Sequence, residues 1–326
     1  MRPHRIPGTM TQVSTPPPAA GVRLPWERLP AHVRAAIEQH LGTPVVLAHD
    51  QVGGFSPGVA ARVRCADGTR AFVKAVGTEL NPESPAIHRA EARIAAALPV
   101  AAAAPRLRAA VDDGDWVALI FDEIDGRMPH EPWRRDELDR VLDAVTGLSR
   151  ALTPCPVPDV PAARESVDDI LLGYRSLHDQ PPDDLDPWEA RHLDRLADLA
   201  ESALEHVDGD TLVHFDLRAD NILLAGDDVW FVDWPWAFRG AAWIDSLTLV
   251  KNAAFHGHDP EALVAEHPVL ASVEPALISA FVAGMAGFFS SIARRPAPPG
   301  LPTLRAFQRA QHTTTLAWLR RRVGWA

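Results

Sequence analysis

The stretch HFDLRADNILL, residues 214–224, places Asp216, Arg218, Asp220 and Asn221 close together and then turns apolar. A further aspartate, Asp233, closes the apolar run VWFVD. Polar groups at the ends of short buried strands can converge on one point while the strands stay packed. Phosphoryl transfer uses such a convergence. It needs a base for the attacking hydroxyl and oxygen ligands that hold Mg²⁺ against a triphosphate. It also needs a lysine on the phosphates and a glycine loop over them. The chain carries a candidate for each. GGFSPG (53–58) can lay the backbone N–H groups around Gly53, Gly54 and Ser56 against phosphate. Lys74 lies in FVKAV and can be held by Glu91 of HRAEARI. Asp216 is the candidate base, and Asn221 and Asp233 are the candidate metal ligands.

These groups must be positioned by elements that the patterning makes legible. PAHVRAAIEQHL (30–41) spaces Val33, Ile37 and Leu41 four apart and is followed by Gly42, which predicts an amphipathic helix with a glycine stop. Strands are predicted at 44–51, 59–65, 70–76, 106–112 and 115–123, with Asp67-Gly68 as a tight hairpin turn. An alanine-rich helix is predicted at 84–98. After Gly126 helical spacing dominates, at 136–152, 166–177 and 187–207, interrupted by a β-island at 211–233 and resumed over 243–323. The order predicts a five-strand sheet with one main helix, a connector near 122–127, and a helical part with a small β insertion.

Composition narrows the class. With 326 residues, 47% hydrophobic and 23% charged, the chain reads as an ordinary globular protein with room for two lobes. A net charge of −11 argues against nucleic acid as a partner. It suits cationic ligands but is also a common solubility device. Cys65 and Cys155 stand apart with no zinc spacing, as thiols in a reducing compartment do. The first residues, MRPHRIPGTMTQVSTPPPAAG, have no apolar core for a secretory signal, and their prolines predict an extended, disordered tail over 1–25. Met1 and Met10 both stand open as the start. A cytoplasmic location is expected. PALISAFVAGMAGFFSSIA (275–293) is uncharged and nearly long enough to span a bilayer, but its serines, glycines and leading proline favour a buried helix.

The set resembles the protein-kinase-like fold, and in particular the aminoglycoside phosphotransferase family of small-molecule kinases. His214-Phe215-Asp216 with Asn221 five residues later is similar to the family's H-x-D-x-x-x-x-N loop. Val232-Asp233-Trp234 looks like its metal-binding strand end. Asp245, in AAWIDSLTL, is similar to the acidic residue that opens the next helix and holds the loop histidine, here His214. Two departures stand out. GGFSPG lacks the kinase G-x-G-x-x-G pattern, and Phe215 stands where the family often has glycine. The likeness spans roughly residues 44 to 326. It implies an α+β bilobal fold: an antiparallel five-stranded nucleotide-binding lobe over 26–123 and a larger helical lobe over 124–326 that carries the catalytic loop and the substrate helices. It further implies ATP or GTP with Mg²⁺, the base seated near Phe121, Asp122, Glu123 and Ile124, and a small hydroxylated molecule as acceptor. The acceptor itself, whether aminoglycoside, macrolide, sugar or amino alcohol, stays open, as does the oligomeric state.

Other functions compete. A protein kinase is disfavoured because only about ten residues separate Asp233 from the helix at Trp243, which leaves no room for a long activation loop. A nucleotide-binding pseudokinase acting as a scaffold is the rival of another class. Arg218 is assigned no chemistry. His256 and His258 are expected to face solvent without a metal. Of Trp234, Trp236 and Trp243, at least two are expected to pack in the core. The acidic PPDDLDPWE (181–189) is expected to be a solvated loop.

Overall fold

A computed structural model describes residues 19–326. Alternating side chains build the first lobe. Strands β1 (Val45–Asp50), β2 (Val59–Cys65), β3 (Arg70–Gly77), β4 (Leu107–Asp112) and β5 (Trp116–Phe121) form one antiparallel sheet in the order β1-β2-β3-β5-β4. On β3 the period of two sends Ala71, Val73 and Ala75 into a core with Val33 and Ile37 of helix α1 (Ala31–Leu41). The alternate residues Phe72 and Lys74 face the other way, towards helix α2 (Ser84–Ala97), which packs its Ala92 and Ala95 against Leu119 and Phe121. Both faces of the sheet are therefore covered, with α1 on the face opposite α2. Gly77 permits the tight closure of β3 on β5, because a Cβ there would lie 2.5 Å from the Trp116 ring.

The connector after β5 runs beside the second lobe, and Arg127 exchanges backbone hydrogen bonds with Leu224 at 3.1 and 2.7 Å. Helix α3 (Arg135–Ala151) follows. The predicted helix at 166–177 is instead three short ones, α4 (Ala163–Ser166), α5 (Asp168–Leu171) and α6 (Gly173–Asp179). The chain leaves helical geometry at Val167 and Leu172, and Gly173 then fits directly against the backbone of Gly287, where a Cβ would lie at 2.5 Å. The predicted helix at 187–207 is α7 (Pro187–Glu201), which tightens to a 3₁₀ turn over Ser202–Glu205. The acidic loop before it has work to do: Asp186 caps α7 through Trp188 N–H at 2.8 Å, and Asp184 pairs with Arg294.

The β-island consists of two ribbons. Strands β6 (Thr211–Val213) and β9 (Phe238–Gly240) pair with each other, and β7 (Ile222–Ala225) pairs with β8 (Asp228–Phe231). Strand β9 was not predicted, since FRG is too short to show a period. Helices α8 (Ile244–Phe255), α9 (Pro260–Glu266), α10 (Pro268–Ala271), α11 (Pro275–Ile292) and α12 (Leu304–Val323) complete the lobe. The apolar α11 is its central helix and packs on α5, α6, α7 and α12. Gly284 and Gly287 admit Leu171 and Tyr174. Length and composition would let α11 cross a membrane, but its buried side faces this helical core.

The tail expectation needs correction. Residues 1–18 lie outside the described residues, but residues 19–25 are ordered against the glycine loop and the linker before α12. Gly21 N–H donates to Gly54 O at 2.9 Å, and Val22 N–H donates to Gly300 O at 2.8 Å. Proline content suggested disorder there, but a partner strand of backbone supplies the hydrogen bonds.

Candidate active site

The loop from His214 to Asn221 enters from buried β6 and leaves into buried β7, with a 3₁₀ turn at Ala219–Asn221. Asp245, at the start of α8, accepts the backbone N–H groups of both His214 and Phe215, each at 2.8 Å. Asp245 was expected to hold His214, and it does so through the main chain. The imidazole goes elsewhere. Its Nε2 lies 2.9 Å from Val232 O, and its Nδ1 lies 3.3 Å from the backbone N of Asp216. These partners assign the proton to Nε2, with Nδ1 accepting from Asp216 N–H. His214, fully buried beneath Trp234, thus ties the loop to the strand end that carries Asp233. Burial pushes the Asp245 carboxyl above its ordinary range, against the pull of His214 and the two N–H groups.

Phe215 has φ 74, a left-handed backbone that glycine adopts freely and phenylalanine does not. Its N–H is held by Asp245, and its ring packs on Phe238 at 5.0 Å. Phe215 is thus held in this conformation by a carboxylate and by ring packing.

Asp216 receives Arg218 on both oxygens at 2.8 and 2.9 Å, and the same guanidinium holds Asp220 at 2.9 Å through each of two nitrogens. Arg218, set aside on sequence, is therefore the clamp that orients the candidate base. Asn221 Nδ2 donates to Asp216 O at 2.8 Å and to Asp216 Oδ2 at 3.1 Å, which leaves the Asn221 carbonyl oxygen to face outward.

Lys74 Nζ lies 2.7 Å from Glu91 Oε1 and 2.5 Å from Asp233 Oδ1. Burial disfavours the ammonium, but the two carboxylates more than offset this and hold the lysine charged well above its usual range. Two acids share one cation. Asp233, about one-third exposed, keeps its charge: burial opposes it, but Lys74 and Arg218 pull its pKa below the usual range. Glu91, nearly sealed, is pushed up, chiefly by burial and by Asp233. Asp233, like Phe215, is left-handed, with φ 70. Two such residues in one site are strain that the surrounding structure must sustain.

Solved structures carry the same arrangement of lobes. A thermostable mutant of aminoglycoside phosphotransferase APH(4)-Ia, in ternary complex with ADP and hygromycin B, matches at TM-score 0.59 over 89% of this chain and 98% of its own, with 14% identity. The chain has the fold of the aminoglycoside phosphotransferases. An aminoglycoside phosphotransferase from Alicyclobacillus acidocaldarius matches at TM-score 0.52 and 15% identity over 86% of this chain and 93% of its own. The choline kinase LicA from Streptococcus pneumoniae matches at 0.57 and 13% identity over 88% of this chain and 100% of its own. No protein-family model matches the sequence, and no curated protein matches it.

Between the lobes of this phosphotransferase fold lies a cleft of about 500 Å³, lined by Gly53, Gly54, Ser56, Lys74, Glu91, Phe121, Asp122, Glu123, Ile124, Asn221 and Asp233 among others. Every sequence-predicted nucleotide and metal residue therefore borders one space. The connector side chains are engaged: Asp122 by Arg108 and Glu123 by Arg70. What this segment offers a base is its backbone and the Phe121 ring. The glycine loop needs its glycines: Gly53, Gly54 and Gly58 have φ of 96, 75 and 96.

Three features escaped the sequence. Arg23, from the segment after the tail, donates to Ser56 O at 2.6 Å and also to Gly53 O, so it fixes the loop from beneath. Phe55 at the loop tip meets Phe307 of α12 edge-on at 4.9 Å and closes the loop onto the helical lobe. Lys251 of α8 is buried close to Asp216 and Arg218. No periodic or motif signal marks any of them, because each joins segments far apart in the chain.

The other expectations resolve simply. Trp234 and Trp243 are buried, while Trp236 is half exposed. His256 and His258 are not solvent-facing as expected: the first lies 3.4 Å from Glu131, and the second lies 2.9 Å from Trp133 O. Among the described residues no group of three His, Cys, Asp or Glu is arranged for a metal ion. Asn221 and Asp233 offer two oxygens into the cleft, the Asn221 carbonyl and the Asp233 oxygen not bound by Lys74. Mg²⁺ is held by just such a pair when phosphate oxygens and waters supply the rest.

Proposed function

We propose that this protein transfers the γ-phosphoryl group of ATP or GTP to a hydroxyl of a small molecule. The observation that carries the reading is the meeting of Lys74, from the sheet, with Asp233, from the helical lobe, in a cleft also lined by Asn221, whose side-chain amide donates to Asp216. One carboxylate suffices to neutralise a lysine, so the second, Asp233, is available to a bound cation. Paired with a glycine loop overhead, Lys74 is a charge set for phosphate.

In this reading Lys74, aimed by Glu91, binds the phosphates, and Gly53, Gly54 and Ser56 present backbone N–H groups to them. Asn221 and Asp233 would hold Mg²⁺, whose charge offsets that of the phosphates when it is bound. Asp216, oriented by Arg218 and Asn221, aligns the acceptor hydroxyl and takes its proton. The acceptor oxygen forms a bond to the γ-phosphorus as the bond from that phosphorus to the bridging oxygen breaks, and the nucleoside diphosphate leaves. Positioning and charge neutralisation carry most of the rate. The ten residues from Asp233 to the start of α8 include β9, so the segment is occupied by structure and not by a peptide-docking loop, which favours small acceptors over protein.

The test is nucleotide-dependent thermal stabilisation of the purified chain, followed by ADP release over a panel of hydroxylated small molecules. The reading expects both stabilisation and acceptor-dependent release. Stabilisation without release for any acceptor would point to a nucleotide-binding scaffold.

A further inference from the structure

Lys251 stands six residues after Asp245 on α8 and is only 8% exposed. Among the described residues its ammonium has neither a hydrogen bond nor an ion pair. It lies over the face of Phe289 on α11, 4.9 Å from the ring centroid. The charges that act on it are Asp216, which attracts it, and Arg218, which repels it. Burial without a directly paired carboxylate drives its pKa down to about 8.

The surroundings are apolar and aromatic. Phe255, one turn further along the same face of α8, meets Phe307 at 5.3 Å, and Phe307 meets Phe55 at 4.9 Å. The Arg218 guanidinium lies 5.7 Å from the Phe55 ring and 5.9 Å from the Phe307 ring. Groups from the glycine loop, α8, α11 and α12 thus gather around Arg218, which holds Asp216, and around Lys251. None of them offers a free carboxylate. Asp216 and Asp220 are held by Arg218, and Asp245 is used on backbone N–H groups. Residues 275–326, which form α11, its linker and α12, contain seven arginines and no Asp or Glu. A polycationic acceptor would find no counter-charge here.

We propose that Lys251 is the specificity-determining residue of the acceptor site, and that it selects a hydroxyl compound carrying a carboxylate on an apolar, ring-sized body. This rests on the phosphotransferase reading above. A buried cation without a partner is costly, and a ligand anion relieves that cost only when bound. One ammonium matches one carboxylate, whereas a phosphate dianion would leave a charge unpaired. The aromatic rings supply the surface that the rest of the acceptor buries.

The test uses the full chain with Mg-ATP and matched probes. Mandelate, phenyllactate and tropate are compared with their methyl esters, with phenylglycinol and phenylalaninol, and with kanamycin, by thermal shift and by ADP release. The acids are expected to bind and to be used in preference to the esters by about tenfold or more. Lys251→Met raises KM for the acids towards that of the esters, with a smaller change in kcat, and Lys251→Arg retains the preference. Esters or amines serving as well as acids overturns the proposal. So does a preference that survives in Lys251→Met, or a protein that binds nucleotide but is stabilised by none of the acids. A wild-type chain that Mg-ATP neither stabilises nor donates phosphate from overturns the phosphotransferase reading itself, and this proposal with it.

Discussion

Lys74 of the sheet and Asp233 of the helical lobe are joined at 2.5 Å, and Glu91 holds the same ammonium from the other side at 2.7 Å. The lobes therefore meet through one cation in the cleft between them. Lys74→Met should weaken nucleotide binding by about tenfold or more, since it removes the charge and frees two carboxylates to repel the ligand. Glu91→Gln keeps the lysine and should cost less. Titration calorimetry with Mg-ATP checks the order, and a Lys74→Met protein with wild-type affinity would exclude the lysine from the phosphate site.

Asp216 is held on both oxygens by Arg218 and on one by Asn221. Asp216→Asn should lower kcat by about 10²–10⁴-fold and leave nucleotide affinity nearly intact. The pair of measurements separates a base from a fold-maintaining residue. Unchanged turnover removes Asp216 from the chemistry.

Asp245 accepts two backbone N–H groups with its two oxygens. Asn in its place has one acceptor and turns a donor towards one of those N–H groups. Asp245→Asn should therefore destabilise the chain by about 1–3 kcal/mol and reduce kcat, while nucleotide still binds. Urea unfolding and a nucleotide thermal shift on the same protein test both halves.

His88 on α2 is buried near Lys74, and one ring nitrogen has no partner. Burial first, then the Lys74 charge, lowers its pKa from 6.5 to about 4. The unfolded chain takes up this proton before the folded one, so His88 contributes stability above pH 6.5 that is lost as pH falls towards 4. The full effect is about 3 kcal/mol. His88→Leu should flatten the change in urea midpoint between these pH values. A slope equal to that of the wild type would show that His88 is not the group responsible.

Gly287 lies where a Cβ would come within 2.7 Å of the Tyr174 ring and of its backbone nitrogen. The backbone cannot yield as a flexible side chain would. Gly287→Ala should cost about 1–3 kcal/mol by overpacking, visible as a lower Tm, with no specific loss of nucleotide affinity.

Much of this molecule is written locally. Strand alternation in RAFVKAVG separates Ala71, Val73 and Ala75 from Phe72 and Lys74, and only the packing of α1 and α2 shows which of the two faces borders the cleft. The spacing from Asp216 to Asn221 is a loop's length, and a loop of that length with one buried strand on each side has few ways to close. These are short-range facts, and one chain carries them. The partnerships are another matter. Arg23 beneath the glycine loop, Phe55 on Phe307, and Lys251 near Asp216 join residues that no period or motif connects. The ordered segment 19–25 and the break at Gly173 belong here too. In each case a distant backbone or ring supplies the hydrogen bond or the close approach that local propensity did not forecast. The residue types and spacings determined what chemistry the chain could attempt. The tertiary structure alone decided which charges are buried and which are paired, because burial and neutralisation depend on what packs around a group and not on what precedes it.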